Sequence, residues 1–151
     1  YQPVIRIPLM IFEPGRSTRM DIHENTSAID ILPTLIHITG QQPAEWTEGR
    51  VLPPFSANDA APNRGIYVMR ANDNLQYAPI TQASTMLVRD NYKLLYYFGY
   101  RNIEQEGLVK LFDIRSDPEE MNDLLTAKRS TAMELLQELK NKISEVNIPY
   151  L

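Results

Sequence analysis

The two histidines are the side chains best suited to proton transfer, because only imidazole has an unperturbed pKa close to neutrality. His37 lies in an apolar run with no carboxylate or second histidine at metal-ligand spacing, which predicts a structural or surface role. His23 lies in a polar segment, where it could reach a substrate or remain solvated. A small hydrolase built on either histidine would need a nucleophile and an orienting acid, and the sequence places neither.

Asp30 and Asp113 are the carboxylates that most resemble catalytic groups. General acid-base or metal chemistry needs two or more converging carboxylates, and no spacing here forces convergence. Asp30 fits the first turn of a helix, and Asp113 alternates out of a strand beside Phe112. We therefore expect structural roles for both, and the sequence predicts no catalytic residue and no metal ligand in this chain.

A polar loop after residue 69 could supply hydrogen bonds to a sugar or an aryl ring, with a solvated loop as the alternative. Its members are Arg70, Asn72, Asp73, Asn74 and Tyr77. The aromatic residues that follow favour strand packing over a stacking platform, with Tyr100 open to either role. They are Tyr92, Tyr96, Tyr97, Phe98 and Tyr100.

Alternating apolar residues and turn signals predict four strands, at residues 65–70, 85–89, 92–98 and 109–114. Asp90 and Asn91 form a two-residue turn, so an antiparallel sheet is expected. After Asn122, apolar residues recur at helical spacing and predict a helix that covers one face of the sheet. These residues are Ala132, Leu135, Leu136, Leu139, Ile143 and Val146.

Residues 4–12 are apolar on both faces of an extended strand, as in a buried parallel sheet, and such a strand needs neighbours on each side. The next element is a helix that Ser27 caps and Gly40 ends in the left-handed conformation. Pro33 should kink this helix or separate a first tight turn from its main body.

The fold class is therefore α+β, a four-stranded antiparallel sheet packed by a C-terminal helix and preceded by a strand-helix segment. Prolines recur between residues 41 and 63 and predict an irregular connection. The predicted organisation is a strand and helix at 1–40, a Pro-rich connection at 41–63, and a sheet-helix subdomain at 64–151.

The segment 111–125 predicts a strand, a turn and the start of a helix. Ser116 or Asp117 can cap that helix, and Pro118 fits its first position. Glu119 and Glu120 fall in the first turn, and Glu120 has the capping-box spacing from Asp117.

Four blocks in this order resemble the C-terminal part of the sulfatase family, within the alkaline-phosphatase-like hydrolases. They match the patterns R-x-P-L-I-I-x-x-P-G, S-x-x-D-I-x-P-T-L-L-x-x-x-G, Y-K-L and L-Y-D-L-x-x-D-P-x-E-x-x-N-L. The blocks are residues 6–15, 27–40, 92–95 and 111–125. The resemblance assigns the segment 1–40 to the large α/β domain of a parent enzyme.

The resemblance also implies that the reacting groups precede Tyr1. The family's nucleophile is a Cys or Ser in a C/S-x-P-x-R motif, and a divalent metal, usually calcium, is held by aspartates upstream. This chain has no cysteine. Pro62 and Arg64 have the motif's spacing, but Ala60 stands in the nucleophile's place, and an alanine cannot attack sulfur.

The interpretation is thus a structural, pocket-lining C-terminal fragment of a sulfuric ester hydrolase, inactive alone and without its own cofactor. Its partner would be the N-terminal catalytic part of the same protein, and the isolated fragment could self-associate. The expected substrate rim is Arg70, Asn72, Asp73, Tyr77 and His23. The alternative is a free-standing binding module made of the sheet and its helix.

Partners of other classes are not indicated. The net charge is −4 with scattered Lys and Arg, which argues against a nucleic-acid footprint. No apolar run is long enough to predict a membrane span.

Overall fold

The structure is a computed structural model that describes residues 5, 7–56, 64–71 and 78–151. The chain forms two compact units. One comprises residues 8–66 and is here called the helix unit, and the other comprises residues 1–7 and 67–151 and is called the sheet unit.

The sheet has four strands in the order β1-β2-β3-β4. Their bounds are β1 Ile66–Ala71, β2 Ala83–Arg89, β3 Tyr92–Phe98 and β4 Leu108–Asp113. β2 and β3 pair antiparallel with Arg89 opposite Tyr92, and β3 and β4 pair antiparallel with Tyr92 opposite Asp113. The predicted strands are confirmed, each within two residues of its observed bounds.

The connections between the strands use left-handed backbone, as the turn residues predict. Asp90 has φ 54° in the tight β2–β3 turn, and Gly99 and Gly107 have φ 77° and 86° around the longer β3–β4 loop. A Cβ on Gly107 would lie 2.5 Å from both the Tyr96 ring and the Tyr97 carbonyl oxygen. Only glycine therefore fits this position.

The C-terminal helix α2, Arg129–Asn147, packs on the sheet, as predicted. Its apolar stripe is buried over Ala132, Leu135, Leu136 and Leu139, with Ile143 partly buried. Val146 is 38% exposed, so the buried stripe ends one turn earlier than the sequence suggests. From the sheet, the side chains of Leu87, Leu94, Tyr96 and Leu111 complete the core. A short 3-10 turn, Ile148–Tyr150, follows the helix.

No helix begins at Pro118, and that prediction is wrong: α2 starts only at Arg129. Glu120 has φ 59°, which an α-helix does not allow. Asp117 does accept backbone N–H groups, but those of Met121 (3.2 Å) and Asn122 (2.8 Å) in a folded loop. Glu120 also does not complete a capping box, because its carboxylate bonds a lysine of the sheet.

The same loop is fastened to β4 by one carboxylate and one backbone hydrogen bond. Asp123 Oδ1 accepts the N–H groups of Leu111 (3.1 Å) and Leu125 (3.0 Å), and the Leu124 N–H donates to the Leu111 carbonyl (2.7 Å). The polar residues of block 111–125 therefore shape a loop that lies along the sheet.

The helix unit contains a 3-10 turn, Ala28–Asp30, followed by helix α1, Ile31–Ile38. Ser27 is the N-cap of the 3-10 turn rather than of α1 itself, and its N–H donates to Asp30 Oδ2 at 2.8 Å. Gly40 has φ 76° past the helix end, as predicted. A tight turn does precede the main helix, with Pro33 in the first turn of α1.

The predicted strand at residues 4–12 lies partly outside the described residues. Its described part is residues 5 and 7–12, none of which belongs to a strand, and the side chains of residues 7–12 are exposed. That this stretch needs sheet neighbours stays a prediction. Among the helices of the described ranges, none is long and apolar enough to cross a membrane.

Candidate functional site

The expected substrate rim is only partly within the described residues. His23 is exposed in the helix unit, and Arg70 is exposed on β1 of the sheet unit. Asn72, Asp73, Asn74 and Tyr77 lie outside the described residues. That these side chains line one substrate pocket therefore stays a prediction.

Of the candidate catalytic residues, Asp113 serves local structure and His37 is exposed. His37 is exposed in the last turn of α1. Asp113 Oδ1 accepts the backbone N–H groups of Ser116 (3.2 Å) and Arg115 (3.1 Å). These hydrogen bonds, that from Ser116 foremost, hold the pKa of the Asp113 carboxyl below its ordinary value. The carboxylate thus shapes the turn after β4, as expected.

Asp30 is the centre of a buried polar cluster in the helix unit, and only 1% of its surface is exposed. Its Oδ1 accepts the Arg50 N–H at 2.9 Å. Its Oδ2 accepts the Ser27 N–H at 2.8 Å and pairs with Arg64 Nη1 at 2.7 Å. Both carboxylate oxygens are thus used to fold the chain, which agrees with the structural role expected for Asp30.

Thr34 extends this cluster on the same side of α1. Its hydroxyl donates to the Asp30 carbonyl at 2.6 Å and accepts the Leu52 N–H at 2.8 Å. The cluster therefore joins α1 to the connection that follows it, and it is called the Asp30 clasp below. Its members are Ser27, Asp30, Thr34, Arg50, Leu52 and Arg64.

A second buried ion pair lies in the sheet unit. Lys93 is fully buried on β3, and its Nζ lies 2.7 Å from Glu120 Oε1 in a carboxylate whose side chain is 7% exposed. Sequence reasoning missed this pair, although both residues stand in the blocks that carry the sulfatase resemblance. The signal was a lysine inside an otherwise apolar strand, because such a lysine must find a partner when it is buried.

A polar cleft of the described sheet unit has a volume of about 560 Å³ and lies along α2. Tyr67 Oη donates to Glu138 Oε1 at 2.7 Å, and Arg89 pairs with Glu138 and with Glu134 (2.9 Å). Partial burial, followed by the hydrogen bond to Glu138, raises the pKa of Tyr67 to about 12. The remaining lining residues are Gln137, Asn141, Lys142 and Glu145.

The carboxylates of these clusters are engaged in ion pairs. The carboxylates of Asp30, Glu120 and Glu138 are each bound to a cation, and general acid-base chemistry needs a group that can exchange its proton with substrate. Within residues 5, 7–56, 64–71 and 78–151, no group of three or more His, Cys, Asp or Glu side chains is arranged to hold a metal ion.

Comparison with known proteins gives a family for nearly the whole chain. Residues 1–148 match the family model described as N-sulphoglucosamine sulphohydrolase, C-terminal. Arylsulfatase K of Xenopus laevis is 28% identical over 150 residues, which are 97% of this chain and 26% of that protein. Arylsulfatase K of Homo sapiens is 25% identical over 147 residues, 95% of this chain and 27% of that protein.

Solved structures share the fold. The structure of BT4656 in complex with its substrate D-glucosamine-2-N,6-O-disulfate matches 77% of this chain and 24% of its own, with TM-score 0.55 and 20% identity. The crystal structure of Ps i-CgsB matches 80% of this chain and 24% of its own, with TM-score 0.58 and 19% identity. The chain thus spans about a quarter of the length of the curated relatives it matches.

Proposed function

Because this chain belongs to the N-sulphoglucosamine sulphohydrolase C-terminal family, a family of sulfatase C-terminal domains, we propose that it is the C-terminal part of a sulfuric ester hydrolase. In this proposal the chain contributes structure and part of the substrate pocket, while the catalytic centre belongs to the preceding part of the same protein.

One observation carries the proposal. The match covers 97% of this chain but only 26% of the Xenopus laevis arylsulfatase K, and the matched family model is a C-terminal one. A sequence that aligns almost throughout with one quarter of an enzyme is explained most simply as the corresponding quarter of a similar enzyme.

The polar clusters support a structural role for this chain and a catalytic role for the preceding part. In the sulfatase resemblance, the nucleophile and the aspartates that hold a divalent metal precede this segment. The buried carboxylates of this chain, Asp30 and Glu120, are already committed to ion pairs that hold its own fold. We propose that the metal, calcium in the resemblance, is bound entirely by the preceding part.

The pocket-lining role rests on the exposed polar residues. Arg70 and His23 are exposed, and a guanidinium suits a sulfate or a sulfated sugar because it offers several fixed N–H donors. Together with Asn72, Asp73 and Tyr77 they form the proposed substrate rim. The bound substrate of BT4656 is a disulfated glucosamine, which is the class of ligand that such a rim would suit.

The test compares two proteins with an aryl sulfate substrate. One is the product of the complete gene, and the other is this chain alone. We expect turnover by the complete product and none by the chain alone. A variant of the upstream nucleophile serves as the control and should abolish turnover without changing this chain. Turnover by the chain alone, abolished by a point change within it, would show that the chemistry resides here.

A free-standing binding module is the second candidate, and the closed core of the sheet unit favours it. Leu94 and Leu111 are fully buried without any partner chain. This candidate predicts a monomer at all concentrations and a gene that encodes no upstream hydrolase segment. Light scattering and the complete reading frame distinguish the two candidates.

A further inference from the structure

The helix unit distributes its side chains in the opposite way from an ordinary domain. Its described buried residues include Asp30, Thr34 and Pro33, while only one large apolar side chain, Leu52, is in its described core. Buried polar groups and a large exposed apolar surface are the two informative departures from the usual pattern, and both occur here.

Helix α1 carries four of the exposed apolar residues of this unit. Ile31, Leu35 and Ile38 are spaced for one face of a helix and are 40%, 57% and 51% exposed. Leu32 extends this face and is 44% exposed, whereas Pro33 and Thr34 of the same helix are buried. The four exposed residues are called the outer face of α1 below. None of them carries a charge or a hydrogen-bonding side chain.

The Asp30 clasp fixes the buried side of the helix. Thr34 accepts the Leu52 N–H at 2.8 Å and Asp30 accepts the Arg50 N–H at 2.9 Å, so polar bonds rather than an apolar core hold α1 against its connection. The helix therefore has one side that its own unit satisfies and one apolar side that needs a cover.

We propose that the outer face of α1 is a docking surface for an apolar surface of the protein segment that precedes this chain, a proposal that rests on the proposed function. The clasp presents this face in a fixed orientation before docking. The occupant follows from two observations. The outer face is entirely apolar, and the relatives that match this chain contain about three quarters of additional sequence outside a C-terminal match.

Residues 9–12 also expose apolar side chains. Leu9 and Ile11 are about half exposed, and Met10 and Phe12 are 94% and 81% exposed. A docked partner that covered this stretch as well as α1 would remove eight exposed apolar side chains of the helix unit from water. Burial of that kind is the main favourable term in protein association.

The experiment uses the absence of cysteine in this chain to place one thiol at a time. Leu35→Cys probes the outer face, and Met133→Cys on α2, 40% exposed, is the matched helical control. Each variant is made in this chain alone and in the complete gene product. A maleimide labels the thiols, and peptide mass spectrometry gives the labelling rate at each position, independently of any upstream cysteine.

We expect both positions to react at similar rates in the chain alone. In the complete product, position 35 should react at least about tenfold more slowly, because a buried side chain reacts only after local opening, while position 133 should be unchanged. Equal labelling of position 35 in both proteins would overturn the docking proposal. If that complete product still hydrolysed an aryl sulfate, the proposed function would stand without the docking surface.

Three further outcomes would also overturn the proposal. Protection of position 35 in the chain alone, independent of concentration, would assign the outer face to the sheet unit of the same chain. Protection that grows with concentration would assign it to a second copy. A complete reading frame with no preceding hydrolase segment would overturn both the docking proposal and the proposed function. Fast labelling of position 35 in an active complete enzyme would overturn the docking proposal alone.

Discussion

The two units of this chain bury different kinds of side chain. The sheet unit buries Leu87, Leu94 and Leu111 completely between its strands and α2. The helix unit places a carboxylate and a hydroxyl at its centre and leaves Leu35 and Phe12 exposed. The first unit resembles an ordinary small domain, whereas the second exposes apolar side chains of the kind that usually contact a partner.

The comparison shows that the polar groups have different tasks in the two units. In the sheet unit the Lys93–Glu120 pair joins a loop to a core that apolar packing already holds together. In the helix unit the Asp30 clasp connects α1 and the turn before it to Arg50, Leu52 and Arg64. Truncation of a buried apolar side chain should therefore destabilise the sheet unit more than truncation of an apolar side chain destabilises the helix unit, whereas loss of a clasp residue should loosen the connection of α1.

The largest effect is expected from Lys93→Met. The change leaves the carboxylate of Glu120 buried without its lysine, and loss of one partner from a buried ion pair costs about 3–5 kcal/mol of unfolding free energy. Urea denaturation followed by tyrosine near-ultraviolet circular dichroism measures this loss. The described tyrosines lie in the sheet unit and Trp46 lies in the helix unit, so the variants are compared in a Trp46→Phe background, where this signal reports on the sheet unit.

Lys142→Met is the matched control, because Lys142 pairs with Glu145 on the surface at 3.2 Å. Exposed pairs contribute about 0–1 kcal/mol, so this variant should stay close to the parent chain. The double variant Lys93→Met with Glu120→Gln should recover part of the loss, since no buried charge remains. Equal effects of Lys93→Met and Lys142→Met would contradict the assignment of a buried pair.

The next effect tests the contrast between the two units directly. Leu111→Ala removes a fully buried side chain from the sheet core and should cost about 2–5 kcal/mol. Leu35→Ala shortens a side chain that is 57% exposed and should change the stability of this chain alone by no more than about 0.5 kcal/mol. Thermal denaturation of both variants checks the difference, and a large loss for Leu35→Ala would show that the outer face of α1 is packed within this chain.

A smaller effect is expected from Thr34→Val in the helix unit. The valine keeps the shape of threonine but leaves the Leu52 N–H without its acceptor, which costs about 1–3 kcal/mol locally. Amide hydrogen exchange at Leu52 should accelerate by about tenfold or more. Thr39→Val is the control, because the Thr39 hydroxyl bonds a carbonyl in an exposed position. Unchanged exchange at Leu52 would show that the clasp does not hold this connection.

The sheet was predictable because its signals are local. Apolar runs and turn residues such as Asp90 and Gly99 determine where strands end, and the observed strands agree with them. The same local reasoning placed a helix at Pro118, where the cap and first-turn residues are favourable. The loop forms instead because Glu120 takes up the left-handed conformation and bonds Lys93, which lies 27 residues away in sequence.

The Asp30 clasp could not be predicted from the sequence for a related reason. Asp30 was correctly expected to serve its helix turn, but its partners Arg50 and Arg64 lie 20 and 34 residues further along the chain. Neither separation corresponds to a helix or strand repeat, because these residues come together only through the fold of an irregular connection. The family resemblance marked Asp30 and Thr34 without showing what they hold.

The smallest predicted effect concerns Tyr67 in the polar cleft along α2. Tyr67 titrates with a pKa of about 12, above its ordinary value of 10.0, because of partial burial and its bond to Glu138. The neutral phenol is thus favoured by folding, so its contribution to stability is complete below about pH 10 and is lost as the pH rises towards 12. Alkaline absorbance titration of the chain, minus that of Tyr67→Phe, isolates this group.

Glu138→Gln should lower the pKa of Tyr67 only part of the way to 10.0, because burial is the larger cause and remains. Glu145→Gln removes a weaker negative influence on Tyr67 and should lower the pKa less. Neither change should alter amide exchange at Leu52, since that amide belongs to the clasp of the helix unit. A Tyr67 that titrates at its ordinary value in the parent chain would mean that α2 does not hold Glu138 against β1.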